Sequence, residues 1–225
     1  MRIPDDEEIF ALHVRHAPTA EALAIVYTHS EIVRRIAMGL LAGLSPAADD
    51  TAADDTAADD TAEASSEGAG IDARLVRAGC LLHDVGVYRL YDEAGQLDHR
   101  NYMRHGVLGY ELLQEEGLPE AICRFASHHT GTGLSREDVL RQELPLPPGD
   151  YLAETPEEVL VMYADKFHSK TTPPKLLTAH AYAVYVRRFG ADKVAAFESM
   201  RAAFGEPDLS PFSTAYGHPV LEDVG

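Results

Sequence analysis

The chain has 225 residues, of which 45% are apolar and 25% are charged, and its formal net charge is -18. This length suits one large domain, and the apolar fraction is ordinary for a globular protein. The negative charge argues against binding to a nucleic-acid polymer, but it does not exclude a small phosphate ligand, because a metal ion inverts the local field. No apolar run is long enough to span a bilayer, and the first residues lack the apolar core of a signal peptide. We therefore expect a cytoplasmic protein without a membrane partner; composition gives no oligomeric state.

Apolar residues recur at helical spacing through most of the chain, and no strand-like alternation of useful length is present. The predicted fold class is therefore all-α. Thr19, Ser135 and Thr155 are expected to cap helices, and Pro156 suits a first helical position. Residues 86–104 are expected to form a loop that lines the site entrance, and the tail to Gly225 is expected to be irregular. The predicted helices cover 5–16, 19–41, 71–83, 105–113, 120–129, 135–142, 155–166 and 176–204, the last with a break at Gly190.

Residues 45–70 have a different composition from the rest of the chain. Ala-Ala-Asp-Asp-Thr repeats three times from Ala47, and the segment contains neither an aromatic nor a large aliphatic residue. Such a segment cannot bury enough apolar surface to offset the entropy lost on ordering. We predict a disordered acidic insertion within one domain that spans 1–225, with a core at about 19–170 and a C-terminal helix and tail at 175–225.

The rest of the chain is organised around the stretch Gly79-Cys80-Leu81-Leu82-His83-Asp84-Val85-Gly86. An apolar helical run places His83 and Asp84 side by side just before a glycine. A carboxylate in an apolar setting is costly without a partner of opposite charge, and a divalent cation supplies one. The stretch therefore predicts a metal site. Further candidate ligands on or at the ends of predicted helices are His29, His105, His128, His129 and Asp165.

In chain order these residues resemble the HD-domain superfamily of metal-dependent phosphohydrolases, and most closely its compact single-domain group. Matching features are His29 in a His-Ser-x-x-Val setting, His83-Asp84-Val85-Gly86, His105-Gly106, His129-x-Gly-x-Gly and Ala164-Asp165-Lys166. The resemblance implies an HD-domain helical bundle. Some cyclic-dinucleotide phosphodiesterases of the superfamily have a His-His pair at the position of His128 and His129, but their following Gly-Tyr-Pro signature is missing here.

The resemblance also implies roles for individual residues. His29, His83, Asp84 and Asp165 would bind one ion; His105 and His129 would bind a second ion bridged by Asp84 or would contact substrate and assist proton transfer. His128 is a further candidate ligand, although His129 fits the glycine spacing better. Mixed nitrogen and oxygen ligands suit Mn, Fe, Co, Ni or Zn and suit Mg less well.

The activity implied by the resemblance is hydrolysis of a phosphate ester or anhydride, with a nucleotide as the expected substrate, through a metal-activated water. The catalytic residues would be Asp84, His105, His129 and Lys166, with Lys166 stabilising phosphoryl charge and Lys170 and His168 as weaker candidates. A salt bridge to a nearby acid is the competing interpretation of Lys166. Two other functions stay open: a di-iron oxygenase of the same helical architecture, and a non-catalytic ligand-binding or regulatory module.

Overall fold

The computed structural model describes residues 1–44 and 70–223. The prediction of an all-α fold is confirmed: ten α-helices dominate the described residues, and the strands there are two or three residues long. The predicted disordered insertion lies, except for Gly70, outside the described residues and stays a prediction, as does the division of 1–225 into one domain. No helix in the described ranges has the length and apolar composition needed to cross a bilayer.

Ten α-helices, three 3₁₀-helices and three short strands make up the regular structure of the described residues. The α-helices are α1 Asp6–His16, α2 Ala20–Leu44, α3 Ala73–Leu82, α4 His105–Glu115, α5 Glu120–Ser127, α6 Arg136–Arg141, α7 Pro156–Asp165, α8 Ala179–Val186, α9 Ala191–Phe204 and α10 Ser210–Tyr216. The 3₁₀-helices are Val85–Leu90, Tyr102–Arg104 and Arg187–Phe189, and the strands are β1 His168–Ser169, β2 Lys175–Leu177 and β3 Val220–Leu221.

Helix starts are set by side chains that satisfy free backbone N–H groups, as the sequence indicates. Thr19 accepts a hydrogen bond from the Ala22 N–H at the start of α2, and Asp72 accepts from two N–H groups of α3. Ser135 and Thr155 cap α6 and α7. These caps fix where each of the four helices begins.

Three segments differ from the sequence expectation. Val85–Leu90 forms a buried 3₁₀-helix instead of a loop, because its apolar side chains pack into the core. The predicted helix 176–204 has its expected break at Gly190, before α9, but its first two residues belong to strand β2 instead. The tail forms α10 and β3; β2 pairs antiparallel with β1 and parallel with β3, a long-range pairing that local periodicity does not reveal.

Two apolar clusters lie on either side of α3. One cluster contains residues of α2, α7, α8 and α9, and the other contains residues of α1, α4 and α5. His29 lies on α2 between Val26, which belongs to the second cluster, and Ile32, which belongs to the first. The candidate metal centre therefore lies at the junction of the two clusters, where it is supported by packed helices on both sides.

Gly86 sets the distance between the His83-Asp84 corner and α4. A Cβ added at Gly86 would lie 2.0 Å from the backbone oxygen of His105 and 2.2 Å from the backbone nitrogen of Gly109. Backbone atoms on a packed helix cannot yield to such a contact as a flexible side chain can. The absence of a side chain at Gly86 is thus what allows Asp84 and His105 to approach each other.

We predict that Gly86→Ala destabilises the protein, because the new methyl group overlaps the α4 backbone. Overpacking of this kind costs about 1–3 kcal/mol, which for a chain of this size lowers Tm by roughly 3–10 °C. The matched control is Gly39→Ala, since a Cβ there meets nothing within 4 Å. Thermal unfolding should show a loss for the first variant and no loss for the second; equal Tm values would contradict the close-approach argument.

Lys193 joins α9 to the loop that follows His129. Its buried ammonium donates to the Gly133 carbonyl at 2.8 Å and to Asp138 Oδ2 at 2.5 Å. Burial opposes ionisation of Asp138, but hydrogen bonds from Lys193 and Ser135 outweigh it and lower the pKa of Asp138 from 3.8 to about 2. The ion pair between Lys193 and Asp138 therefore stabilises the folded state at every pH at which Asp138 is ionised.

This pair makes part of the stability dependent on pH. The Asp138 pKa is lower in the folded state than in the unfolded state, so its contribution is complete above about pH 4 and is lost as pH falls toward 2. Asp138→Asn should have a lower Tm than wild type at pH 6, and the gap should narrow below pH 4. Asp192→Asn is the control, because Asp192 is exposed and lies 3.7 Å from Lys193; its Tm should stay close to that of wild type at both pH values. A Tm difference between wild type and Asp138→Asn that does not change with pH would contradict the role given to the Lys193–Asp138 pair.

Candidate metal centre

Asp84 is the point at which two groups of potential ligands meet. It lies 1% exposed between the end of α3 and the 3₁₀-helix, and each of its carboxylate oxygens faces a different set of imidazoles. Two groups in the described residues could hold a metal ion: His29, His83 and Asp84, and Asp84, His105 and His129.

The first group lies around Asp84 Oδ2. His29 Nε2 lies 3.2 Å from Asp84 Oδ2, 3.2 Å from His83 Nε2 and 3.0 Å from Asp165 Oδ1. Asp165, the last residue of α7, also lies 3.5 Å from His83 Nε2. Helices α2, α3 and α7 thus bring together four of the residues predicted from the sequence.

The second group lies around Asp84 Oδ1. His105 Nε2, at the first residue of α4, and His129 Nε2, just after α5, each lie 3.6 Å from this oxygen and 3.0 Å from each other. The oxygen is buried and accepts no hydrogen bond from any residue that the structure describes. A buried carboxylate oxygen without a donor is costly, so the arrangement favours a cation among these three atoms.

Backbone carbonyls fix the tautomers of three of these histidines. His83 Nδ1 lies 2.7 Å from the Cys80 carbonyl, His105 Nδ1 lies 2.7 Å from that of Tyr102, and His129 Nδ1 lies 3.0 Å from that of Phe125. A carbonyl can only accept, so each Nδ1 donates and the neutral ring keeps a lone pair at Nε2. In the second group, two nitrogen lone pairs and one carboxylate oxygen therefore converge without a proton between them.

The spacing of the converging atoms fits a transition metal. Two ligands held roughly 2.1 Å from one ion at right angles lie about 3.0 Å apart, and wider angles increase that distance. The distances between ligand atoms in the two groups are 3.0–3.6 Å. The residues present therefore fit a divalent metal by donor type and by spacing, and the identity of the metal is not determined by them.

Burial and charge keep the three ligands of the second group, Asp84, His105 and His129, in the protonation states that a cation requires. Burial lowers the pKa of His105 to about 3 and also lowers that of His129, so both imidazoles are neutral. Burial would raise the pKa of Asp84, but attraction to the Lys170 ammonium outweighs it and holds the pKa well below its usual range. Neutral imidazoles and an ionised carboxylate are the forms that bind metals.

The two lysines near the centre occupy different positions. Lys166 is buried, and its ammonium donates to the His129 carbonyl at 2.9 Å and to Asp165 Oδ2 at 2.7 Å. Lys170 forms a close ion pair with Asp84 Oδ2, and its ammonium lies 5.6 Å from the centroid of the Tyr102 ring. The Lys170 and Asp165 side chains are 18% and 17% exposed, so the centre reaches solvent at these two residues.

The structure does not bring His128 to this centre, although the sequence names it among the candidate ligands. Helix α5 ends at Ser127, and the His128 ring turns back toward it: His128 Nδ1 lies 2.6 Å from Ser127 Oγ and 3.2 Å from the Arg124 carbonyl. The neighbouring His129 points to Asp84 instead. The direction of the chain after α5 therefore sends the two side chains to different places. Their adjacent positions in the sequence do not reveal this difference.

Two further histidines extend the centre away from Asp84. His168 on β1 contacts His29, and His218 contacts His168. From the sequence, His168 is only a weak candidate for contact with phosphate, and His218 carries no signal. His218 lies 50 residues further along the chain in a segment without helical periodicity, so only the pairing of β2 with β3 brings it near.

Curated relatives match parts of the chain. The uncharacterized protein MJ0778 of Methanocaldococcus jannaschii is 40% identical over 100 residues, which cover 44% of this chain and 52% of that protein. The tRNA (cytidine(56)-2'-O)-methyltransferase of Picrophilus torridus is 38% identical over 98 residues, covering 44% of this chain and 25% of the enzyme. The tRNA (cytidine(56)-2'-O)-methyltransferase of Thermoplasma volcanium is 34% identical over 94 residues, which cover 42% of this chain and 24% of that enzyme. The matches thus span about half of the first relative and a quarter of the other two.

Two solved structures of the HD domain of the L. monocytogenes phosphodiesterase PgpH also match. One is 17% identical, with a TM-score of 0.47 and coverage of 88% of this chain and 97% of that chain. The other, in complex with cyclic-di-AMP, is 16% identical, with the same TM-score and coverage of 95% and 99%.

A family model decides the assignment. The model described as HD domain matches residues 26–170, which include His29, His83-Asp84, His105, His129 and Asp165. The match covers well over half of the chain and begins and ends close to the predicted core. The chain therefore belongs to the HD domain family, as its motifs indicate.

Proposed function

We propose that the chain is a metal-dependent phosphohydrolase that acts on a small phosphorylated substrate, with a nucleotide as the expected class. The observation that carries the proposal is the shared carboxylate: Asp84 presents one oxygen to His29 and His83 and the other to His105 and His129. Two ions about a bridging carboxylate suit the in-line displacement of a phosphate ester. Membership of the HD domain family supports the same class of reaction.

In this proposal His29, His83, Asp84 and Asp165 would hold one cation, and Asp84, His105 and His129 would hold a second. Such cations would supply Lewis-acid activation of a water molecule and would neutralise charge on the phosphoryl group. The Nδ1–H groups of His83, His105 and His129 donate to the carbonyls of Cys80, Tyr102 and Phe125, which orients their Nε2 atoms toward Asp84. The protein thus contributes a rigid, largely dry set of ligands that needs no rearrangement of α3, α4 or α5.

Lys170 is the residue we propose for contact with the phosphoryl oxygens. It lies at the edge of the centre that reaches solvent, whereas Lys166 is buried and already donates to two acceptors. A cation bound beside Asp84 would replace the lysine as partner of that carboxylate, which frees the ammonium for an anionic substrate. Lys166 then has the structural role of joining Asp165 to the loop after His129.

The metal centre is tested first by composition and turnover. Protein purified without chelator should contain close to two transition-metal ions per chain by elemental analysis. It should hydrolyse at least one member of a screen of mononucleotides, dinucleotides and sugar phosphates, with release of phosphate from a monoester or of a mononucleotide from a dinucleotide. Asp84→Ala removes the shared ligand and should reduce metal content below one ion and turnover by at least about 1,000-fold. Glu93→Ala, an exposed carboxylate on the following connection, is the control and should change neither.

The outcome also separates the competing functions. Phosphate release under anaerobic conditions supports hydrolysis. Two irons per chain with oxygen uptake, and no phosphate release, would contradict the proposal in favour of a di-iron oxygenase. A third outcome would indicate a non-catalytic module: wild-type protein that contains no metal and hydrolyses no substrate, and an Asp84→Ala variant that binds nucleotide as tightly as wild type does.

The two lysines are distinguished by separate variants. Lys170→Gln should lower kcat/KM for the phosphorylated substrate by about 100-fold, the size expected for the loss of one charged donor in a site of this kind. Its metal content should not fall, because Lys170 competes for Asp84 and is not a ligand. Lys166→Gln should lower Tm, because a buried ammonium with two acceptors is lost. A Lys166→Gln variant with unchanged Tm and metal content but lost turnover would reverse the two roles.

A further inference from the structure

Three imidazoles form a row that runs from the metal centre to the protein surface. His29 Nδ1 lies 2.8 Å from His168 Nδ1, and His168 Nε2 lies 3.0 Å from His218 Nδ1. The ring centroids are 5.1 and 5.0 Å apart and the planes are inclined by 27° and 16°. The N···N distances are about 2 Å shorter than the distances between ring centroids, so each pair of rings meets edge to edge with its two nitrogens facing each other. This is the geometry of an in-plane N–H···N hydrogen bond.

The row is held by the C-terminal strands. His168 is the first residue of β1, which pairs with β2, and β2 pairs with β3 two residues after His218. The Ser213 hydroxyl donates to the His218 carbonyl at 2.8 Å, and the Leu176 N–H donates to the Pro219 carbonyl at 2.9 Å. His218 thus comes from a segment that lies beyond residues 26–170, the part of the chain that the family model matches.

His29 needs such a partner because of its place in α2. His83, His105 and His129 lie at helix ends, where the carbonyl three or four residues earlier accepts from Nδ1. His29 lies in the middle of the 25-residue helix α2, where carbonyls are engaged in the helix itself. His168 Nδ1 is the atom that faces His29 Nδ1.

We propose that His168 and His218 are positioning residues that hold His29 in the tautomer whose Nε2 lone pair faces the metal. The His29 Nδ1–H donates to His168 Nδ1. His168 then carries its proton on Nε2, which donates to His218 Nδ1, and the His218 Nε2–H lies at the partly exposed end of the row. No proton is transferred along the row; each acceptor fixes the tautomer of the ring that donates to it. This inference rests on the proposed metal site.

The experiment uses the full chain loaded with Zn²⁺, which is diamagnetic. Its readouts are Zn²⁺ affinity, by competition with a chromophoric chelator, and the tautomer of His29, by ¹H–¹⁵N correlation of the imidazole rings. His168→Leu removes the acceptor and should weaken Zn²⁺ binding by about 10- to 100-fold, while the His29 signal changes from the Nδ1–H form to a mixture. His168→Asn keeps an acceptor oxygen close to the position of Nδ1 and should restore affinity to within a few-fold of wild type.

His218→Phe removes the second acceptor and should give a smaller loss of affinity in the same direction. His180→Leu, at an exposed position of α8, is the matched control and should change neither readout. If His168→Leu fails to fold, His218→Phe decides, since it removes the acceptor that fixes the tautomer of His168; wild-type Zn²⁺ affinity together with an unchanged His29 tautomer in this variant would then overturn the inference. Failure of wild type to bind Zn²⁺ would overturn the proposed metal site. Zn²⁺ binding by wild type and His168→Leu with equal affinity and an unchanged His29 tautomer would overturn this inference alone.

Discussion

A single buried carboxylate, Asp84, is the group on which the rest of the centre depends. Both of its oxygens face histidine nitrogens, and one of them has no hydrogen-bond donor among the described residues. Ionised groups are retained at such depth only with a compensating charge. The surrounding helices are arranged to meet that requirement: each delivers its ligand atom from an end or from a tightly packed face, so that none depends on a long loop.

The supporting structure is as specific as the ligands. Gly86 lets the His83-Asp84 corner lie against the α4 backbone, and Lys193 ties the loop after His129 to α9. Neither residue touches the ligand atoms. Gly86 determines how closely α4 and His105 approach Asp84, and a change of a few tenths of an ångström is enough to alter how two ligands share one ion.

The fold class and the order of the candidate ligands could be predicted because both depend on local signals. Helical spacing, caps such as Thr19 and Thr155, and Gly86 after His83-Asp84 are all readable along the chain. The glycine spacing favours His129 over His128, and the direction of the chain after α5 places His129 at Asp84. The roles of Lys166 and Lys170 could not be separated from the sequence, because the His129 carbonyl and Asp84 that they contact come from distant segments. His218 could not be predicted at all, because a parallel pairing between β2 and β3 has no signature in either strand alone.

The ion pair between Lys170 and Asp84 bears on the order in which the protein is assembled. The lysine gives the buried carboxylate a monovalent counter-ion from the chain itself, so the core does not carry an uncompensated charge while it folds. In domains whose metal ligands have no such internal substitute, folding waits for the metal. Here the chain can fold first and be loaded afterwards, and an incoming divalent ion has only to exchange with a side chain at the edge of a finished site.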